Sequence, residues 1–255
     1  MGNKRIDSSR RQFVKTAIAT AGTLAVGSFI EPFKFMLFAT EKPNGEGPWW
    51  GIGIDISKCI GCGLCAKSCK KENDVPKDPF YFRSWVEQYT VLNDESIKVV
   101  SPNGGIDGFP GNEDEENIFK TFFVPKMCNH CAKSPCTQVC PVGATFESPE
   151  GIALVDEKYC IGCGYCIQAC PYGCRYLHPE KGTVDKCTLC YHRLKEGLAP
   201  ACMEVCPSGA RIYGDLNDKN SELVMFMKEN NYQVLKPHLN TGSKLYYNAL
   251  SSEVR

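Results

Sequence analysis

The chain has 255 residues, 43% of them hydrophobic, with 29 basic and 29 acidic side chains and a formal net charge of zero. That length accommodates one large or two small domains, and the charge balance gives no basis for binding nucleic acid or an anionic membrane surface. Seventeen cysteines exclude an ordinary enzyme interior; such a count points to a disulfide scaffold or to metal ligation.

The first element is an address. Ser9-Arg10-Arg11-Gln12-Phe13-Val14-Lys15 resembles the S-R-R-x-F-x-K signal of twin-arginine export, and it sits among further basic residues at Lys4 and Arg5. The 15 residues from Thr16 to Ile30 carry no charge, the length of a signal h-region and short of the ~20 that span a bilayer. Ala25-Val26-Gly27 offers a small-x-small cleavage site, whereas Phe33–Phe38 adds apolar length that an uncleaved anchor would use. Residues 1–42 therefore read as a signal or anchor, and Pro43 to Pro48 as a linker. The implied location is the periplasmic side of a bacterial inner membrane. An oxidising periplasm would pair the thiols of an unfolded chain. Export of the folded protein avoids that, because metal is inserted first.

Four cysteine quartets follow: Cys59-Cys62-Cys65-Cys69, Cys128-Cys131-Cys136-Cys140, Cys160-Cys163-Cys166-Cys170 and Cys187-Cys190-Cys202-Cys206. The first and third have the spacing C-x2-C-x2-C-x3-C of bacterial ferredoxins. Such tight spacing favours metal over disulfides. Three closely spaced cysteines wrap one corner of a cluster, while the fourth points away to ligate the other cluster of a pair. Cys140-Pro141-Val142-Gly143-Ala144, Cys170-Pro171-Tyr172-Gly173-Cys174 and Cys206-Pro207-Ser208-Gly209-Ala210 repeat one C-P-x-G-small turn; its glycine suits a positive φ, and the repetition implies duplicated units. The first quartet departs, with Lys70 where proline is expected.

Between the quartets the sequence predicts short helices after each cysteine triplet and strands at Ile97–Val100, Phe119–Val124 and Ala153–Asp156. Ser101 to Asn117, with Glu113-Asp114-Glu115-Glu116, reads as a surface insertion, either a solvated loop or a dock for a positively charged cytochrome. Ser221–Asn230 reads as one helix with an apolar face at Leu223, Val224, Phe226 and Met227, too short to cross a membrane.

Beyond spacing, the chain resembles the four-cluster electron-transfer subunits of dimethyl sulfoxide, polysulfide, thiosulfate and tetrathionate reductases, formate-dependent nitrite reductase and some hydrogenases. The resemblance runs from about Ile52 to Tyr247. It is carried by Cys59-Ile60-Gly61-Cys62, Cys128-Asn129-His130-Cys131 with Ser134-Pro135-Cys136, Cys170-Pro171-Tyr172-Gly173, Asp185-Lys186-Cys187-Thr188-Leu189-Cys190, Arg211-Ile212-Tyr213-Gly214-Asp215-Leu216, and the tail Leu235-Lys236-Pro237 to Leu245-Tyr246-Tyr247. It implies an α+β fold of tandem, nested dicluster-ferredoxin-like units with loop-rich insertions. The domain would span 43–220, with an outer unit at 52–100 plus 179–220, an inner unit at 119–178, and a C-terminal extension at 221–255 that packs on the body or a partner.

The resemblance also implies four 4Fe–4S clusters. Their ligands would be Cys59, Cys62, Cys65 and Cys206; Cys69, Cys187, Cys190 and Cys202; Cys128, Cys131, Cys136 and Cys170; and Cys160, Cys163, Cys166 and Cys140. Each oxidised cluster with its thiolates carries about −2, so four bring roughly −8. The implied role is a non-catalytic relay between a polytopic quinone-interacting membrane subunit and a catalytic subunit, often a molybdopterin enzyme. The alternatives are the same subunit in a multihaem cytochrome or hydrogenase complex, or a free periplasmic ferredoxin. A radical S-adenosylmethionine enzyme needs C-x3-C-x2-C, which is absent from the chain. A zinc module would be colourless.

Some residues fall outside this scheme. Cys174 reads as a buried free thiol. With sixteen thiols already in quartets, His130, His178 and His192 read as hydrogen-bonding or packing groups. Trp49, Trp50 and Trp85 suit either the core or an interface.

Overall fold

The computed structural model describes residues 47–78, 80–111 and 115–254. The export signal expected at 1–42, and Glu113 and Asp114 of the acidic run, lie outside the described residues.

The body is a set of small sheets joined by cysteine loops. Strand β1 (Trp50–Asp55) is the centre of a three-stranded sheet. It pairs antiparallel with β9 (Arg211–Asp215) and parallel with β10 (Leu245–Asn248). Strands from opposite ends of the described chain are thus neighbours. Three glycines, Gly51 and Gly53 on β1 and Gly214 on β9, leave one face of this sheet bare. The last α-helix among the described residues, α6 (Glu222–Glu229), lies directly on that face. A methyl group added at Gly51 would stand 2.7 Å from Leu223, and one at Gly214 would stand 2.9 Å from the Leu223 Cβ. Leu223 and Phe226 are buried there, each contributing roughly 1.5–3 kcal/mol by leaving water. The Ser221 hydroxyl caps this helix by accepting from the Val224 N–H at 3.3 Å. Among the described residues no helix is long and apolar enough to cross a membrane.

A second sheet has the order β3-β2-β4, from β3 (Ile97–Val100), β2 (Ser84–Leu92) and β4 (Ile118–Met127). The strands expected at Ile97–Val100 and within Ile118–Met127 are present. Strand β2 was not foreseen, although it buries alternate residues over its first half. Two hairpins complete the set: β5 (Thr145–Glu147) with β6 (Ala153–Val155), and β7 (Arg175–Leu177) with β8 (Val184–Lys186). The expected insertion at 101–117 is not wholly on the surface, because Gly104 and Gly105 are buried and Ser101 donates to the Val86 carbonyl at 2.6 Å.

Among the described residues, five further α-helices are short: α1 (Leu64–Glu72), α2 (Pro135–Gln138), α3 (Tyr165–Ala169), α4 (Tyr191–Lys195) and α5 (Ala201–Glu204). Four of them each carry the third cysteine of a quartet: Cys65, Cys136, Cys166 and Cys202. Helix α1 packs on α5, and α2 on α3. The core runs through the cysteines themselves: Cys65, Cys128, Cys187 and Cys202 lie in the main buried cluster with Ile52, Ile54, Val86, Val124 and Tyr247.

Candidate metal centre

Each quartet begins with the same backbone device. The residue two after the first cysteine is left-handed in all four loops: Gly61 (φ 69°), His130 (φ 44°), Gly162 (φ 69°) and Leu189 (φ 53°). A second left-handed glycine, Gly63 or Gly164, then starts the helix in the first and third quartets. The curl turns successive N–H groups toward a concavity that holds negative charge. Glycine adopts this conformation at little cost; His130 and Leu189 do so at about 1–2 kcal/mol each, and both are buried.

The last cysteine of three quartets opens a common turn. The N–H groups of Gly143, Gly173 and Gly209 donate to the carbonyls of Cys140, Cys170 and Cys206 at 3.3–3.4 Å, and all three glycines have positive φ as expected. A strand then starts five residues after the cysteine each time, at Thr145, Arg175 and Arg211. Backbone N–H groups aim at these sulfurs. Against the effect of burial, donors from Thr145, Val142 and Ala144 bring Cys140 below the usual thiol range. The side chain of Ser208 and backbone groups of Ala210 and Arg211 do the same for Cys206. Cys170 is drawn down to about 5, first by the Cys174 thiol and then by the N–H groups of Cys174 and Tyr172.

Cysteines deeper in the body behave in the opposite way. Burial pushes Cys59 and Cys202 up to about 11 and Cys131 and Cys187 up to about 12, with neighbouring thiols adding to the rise. Thiolates crowded in this interior need positive charge among them, which iron supplies.

Electrostatic neighbours join sulfurs of different quartets, both within the expected sets and between them, since Cys128 leads the thiols acting on Cys187 and Cys65 those acting on Cys202. Cys59 faces Cys65 and Cys206. Cys69 faces Cys202, Cys187 and Cys190. Cys131 faces Cys128, Cys136 and Cys170. Cys166 and Cys160 pack in a separate buried group that also holds Cys136. Cys62 and Cys163 are exposed, each beside an exposed isoleucine, Ile60 and Ile161. None of the seventeen cysteines is in a disulfide.

The donor set fits iron–sulfur clusters better than single ions. Its thiols are spaced as C-x2-C-x2-C-x3-C in the first and third quartets, the run that wraps a cluster. His130 gives a second sign. Both of its ring nitrogens are buried with no hydrogen-bond partner among the described residues. Burial, then Lys186, Lys244 and Arg175, hold the ring neutral. A neutral imidazole carries one N–H, and cluster sulfur would supply the acceptor that the side chains around it do not.

Several supporting residues were not singled out from the sequence. Asn73 reaches toward Cys69 and Cys190 with its amide nitrogen, at 3.7 and 3.6 Å. Its oxygen accepts from Arg83 at 3.0 Å, and Arg83 forms a two-pronged ion pair with Asp185 at 2.9 and 3.0 Å. Arg175 donates to the Cys136 sulfur at 2.8 Å. Their signal in sequence is weak; only the shared offset of Arg175 and Arg211 after Cys170 and Cys206 was readable. Cys174 is buried and donates to the Met127 carbonyl at 3.1 Å. His178 accepts from the N–H groups of Glu180 and Lys181 at 3.3 Å, and His192 pairs with Glu72 on the surface at 2.8 Å. Trp49 is buried under the Lys244 ammonium, which stands 3.9 Å from the ring centre, while Trp50 and Trp85 are half-buried against the core.

Cysteine loops of ferredoxin type in one small scaffold define an iron–sulfur protein built from dicluster domains. The sequence matches two family models, each described as a 4Fe-4S dicluster domain, one over residues 58–144 and the other over 119–216. It is 38% identical to a tetrathionate reductase subunit from Salmonella typhimurium, over 95% of this chain and 88% of that one. It is 44% identical to the corresponding tetrathionate reductase subunit from Archaeoglobus fulgidus, over 86% and 94%. With Protein NrfC of Escherichia coli the identity is 38%, over 80% and 82%. The chain belongs to this family of iron–sulfur electron-transfer subunits of respiratory oxidoreductases, and like them it is not the catalytic subunit.

Proposed function

We propose that the chain holds four 4Fe–4S clusters and relays electrons between a quinone-linked membrane subunit and a catalytic, molybdopterin-containing subunit. When bound, each cluster takes up and passes on one electron at a time. The ligand sets are Cys160, Cys163, Cys166 and Cys140; Cys128, Cys131, Cys136 and Cys170; Cys69, Cys187, Cys190 and Cys202; and Cys59, Cys62, Cys65 and Cys206.

One observation carries the proposal: cysteines of successive proposed sets act on one another's charge, which supports a single file. Cys166 lies in the electrostatic field of Cys136, Cys187 in that of Cys128, and Cys202 in that of Cys65. The relay order follows as the order just given. Its ends carry the exposed Cys163 and Cys62, where electrons can enter and leave; the middle sets are buried except for the half-buried Cys170. The nested arrangement is supported by the pairing of β1 with β9 and by the packing of α1 on α5 and of α2 on α3. The residues contribute N–H donors to sulfur, exclusion of water and fixed charge, which together set cluster potentials. The names of the relatives make a sulfur-oxyanion reductase such as tetrathionate reductase the first complex to test. The twin-arginine segment supports a site of action on the periplasmic side of the membrane.

The test is anaerobic purification of the native complex, with iron and sulfide counted per chain and the largest partner identified. About sixteen irons per chain are expected. In Cys206→Ser the cluster held by Cys59, Cys62 and Cys65 is expected to be the one damaged. Loss of its neighbour with that cluster intact would refute the crossed ligation.

A further inference from the structure

Arg175 is buried, 5% exposed, yet its partners are not carboxylates. One guanidinium nitrogen donates to the Cys136 sulfur at 2.8 Å and another to the Thr145 hydroxyl at 3.3 Å. A buried cation without a counter-charge is strongly unfavourable. In contrast, Arg83 has Asp185. What surrounds Arg175 is thiol sulfur: Cys136, Cys128 and Cys166 are the groups whose charge acts on it. Those three cysteines belong to the two ligand sets of the inner unit, 119–178, so the guanidinium sits where these two inner-unit clusters, here called the inner clusters, meet. Arg211 opens β9 as Arg175 opens β7, five residues past its cysteine, and is also buried. Its hydrogen bonds differ, going to Ser84 at 2.8 Å and the Met127 sulfur at 3.2 Å.

We propose that Arg175 is a positioning residue for electron transfer. It is the internal counter-ion of the two inner clusters, and through its bond to Cys136 it holds the cluster of Cys128, Cys131, Cys136 and Cys170 at a raised reduction potential. The inference rests on the ligand assignment proposed above. Its chemistry needs no added reactant. The guanidinium is protonated at every accessible pH, so an arriving electron meets positive charge already in place and draws no proton. A hydrogen bond to sulfur and a nearby cation both favour the reduced, more negative cluster.

The test is a redox titration of the full-length loaded protein followed by electron paramagnetic resonance, in wild type, Arg175→Gln and Arg175→Lys. With iron content unchanged, the glutamine variant is expected to shift the reduction equilibrium of one inner cluster at least tenfold toward the oxidised form. That is 59 mV for one electron. The other inner cluster moves less, and the two outer clusters move less than threefold. The lysine variant, which keeps the charge and loses the fork, falls between wild type and Arg175→Gln. A loaded glutamine variant with every cluster within threefold of wild type overturns the proposal. If that variant does not retain iron, wild-type protein labelled with 15N in its arginine guanidinium groups decides the question. Pulsed resonance should find a 15N coupling to one reduced inner cluster, and its absence overturns the proposal. A wild-type iron content far below sixteen per chain would instead remove the four-cluster reading on which the inference stands.

Discussion

Three glycines of the cysteine loops share a conformation and differ in what stands beside them. Gly63 has φ 67°, Gly162 φ 69° and Gly164 φ 75°. A β-carbon on Gly164 meets nothing within 4 Å, so Gly164→Ala pays for left-handed backbone alone, about 1–2 kcal/mol. A β-carbon on Gly162 falls 2.4 Å from the Gly182 carbonyl oxygen. Gly182 is in the exposed turn between β7 and β8, tied by its N–H to the His178 carbonyl at 3.0 Å, and can retreat in part. On Gly63 the β-carbon falls 2.0 Å from the Gly105 carbonyl oxygen. Gly105 is buried and its own open face is filled by Phe109 and Val86, so retreat is blocked. Overpacking adds about 1–3 kcal/mol. The expected order of destabilisation is Gly63→Ala, then Gly162→Ala, then Gly164→Ala, with the extremes separated by at least ~1 kcal/mol, about fivefold in the equilibrium. Denaturant titration of the loaded proteins, read in parallel by cluster colour and tryptophan fluorescence, measures it. If Gly63→Ala and Gly164→Ala unfold at the same denaturant concentration, the tight seat of the first loop against residues 104–105 is wrong.

Asp185→Ala strands the partly buried Arg83 guanidinium and frees Asn73 near Cys69 and Cys190; a loss of about 1.5–3 kcal/mol is expected, measured by the same titration, and a loss below ~1 kcal/mol would show the pair to be idle. Cys174→Ala removes a hydrogen bond to the Met127 carbonyl and should cost only about 1 kcal/mol while iron per chain stays at the wild-type value; iron loss would show that the thiol's contact with Cys170 matters for holding the cluster. Because burial raises Cys59, Cys131, Cys187 and Cys202 to about 11–12, the metal-free protein binds protons there that ligated thiolates cannot. Falling pH therefore favours the metal-free form, and chelator should strip iron faster at pH 6 than at pH 8; a flat profile would contradict this.

Much of the site was legible in the sequence because ligand chemistry is local. C-x2-C loops and C-P-x-G turns place sulfur within a few residues, so sixteen thiols, three positive-φ glycines and the helix at Glu222–Glu229 were readable from spacing and composition. The strands at Ile97–Val100 and Ala153–Val155 were readable from β-branched and apolar content. Long-range neighbours were not. No local pattern says that β1 pairs with β9 and β10, that Gly63 backs onto Gly105, or that Arg175 reaches Cys136 across 39 positions. The left-handed backbone at His130 and Leu189 was equally hidden, because leucine rarely adopts it and histidine does so in only a minority of cases; the loop imposes it to wrap a concavity. Sequence alone determined what this protein binds, since thiol number and spacing are properties of the chain. Tertiary structure alone decided which thiols stand together and which charges face them, since both depend on segments that meet only after folding.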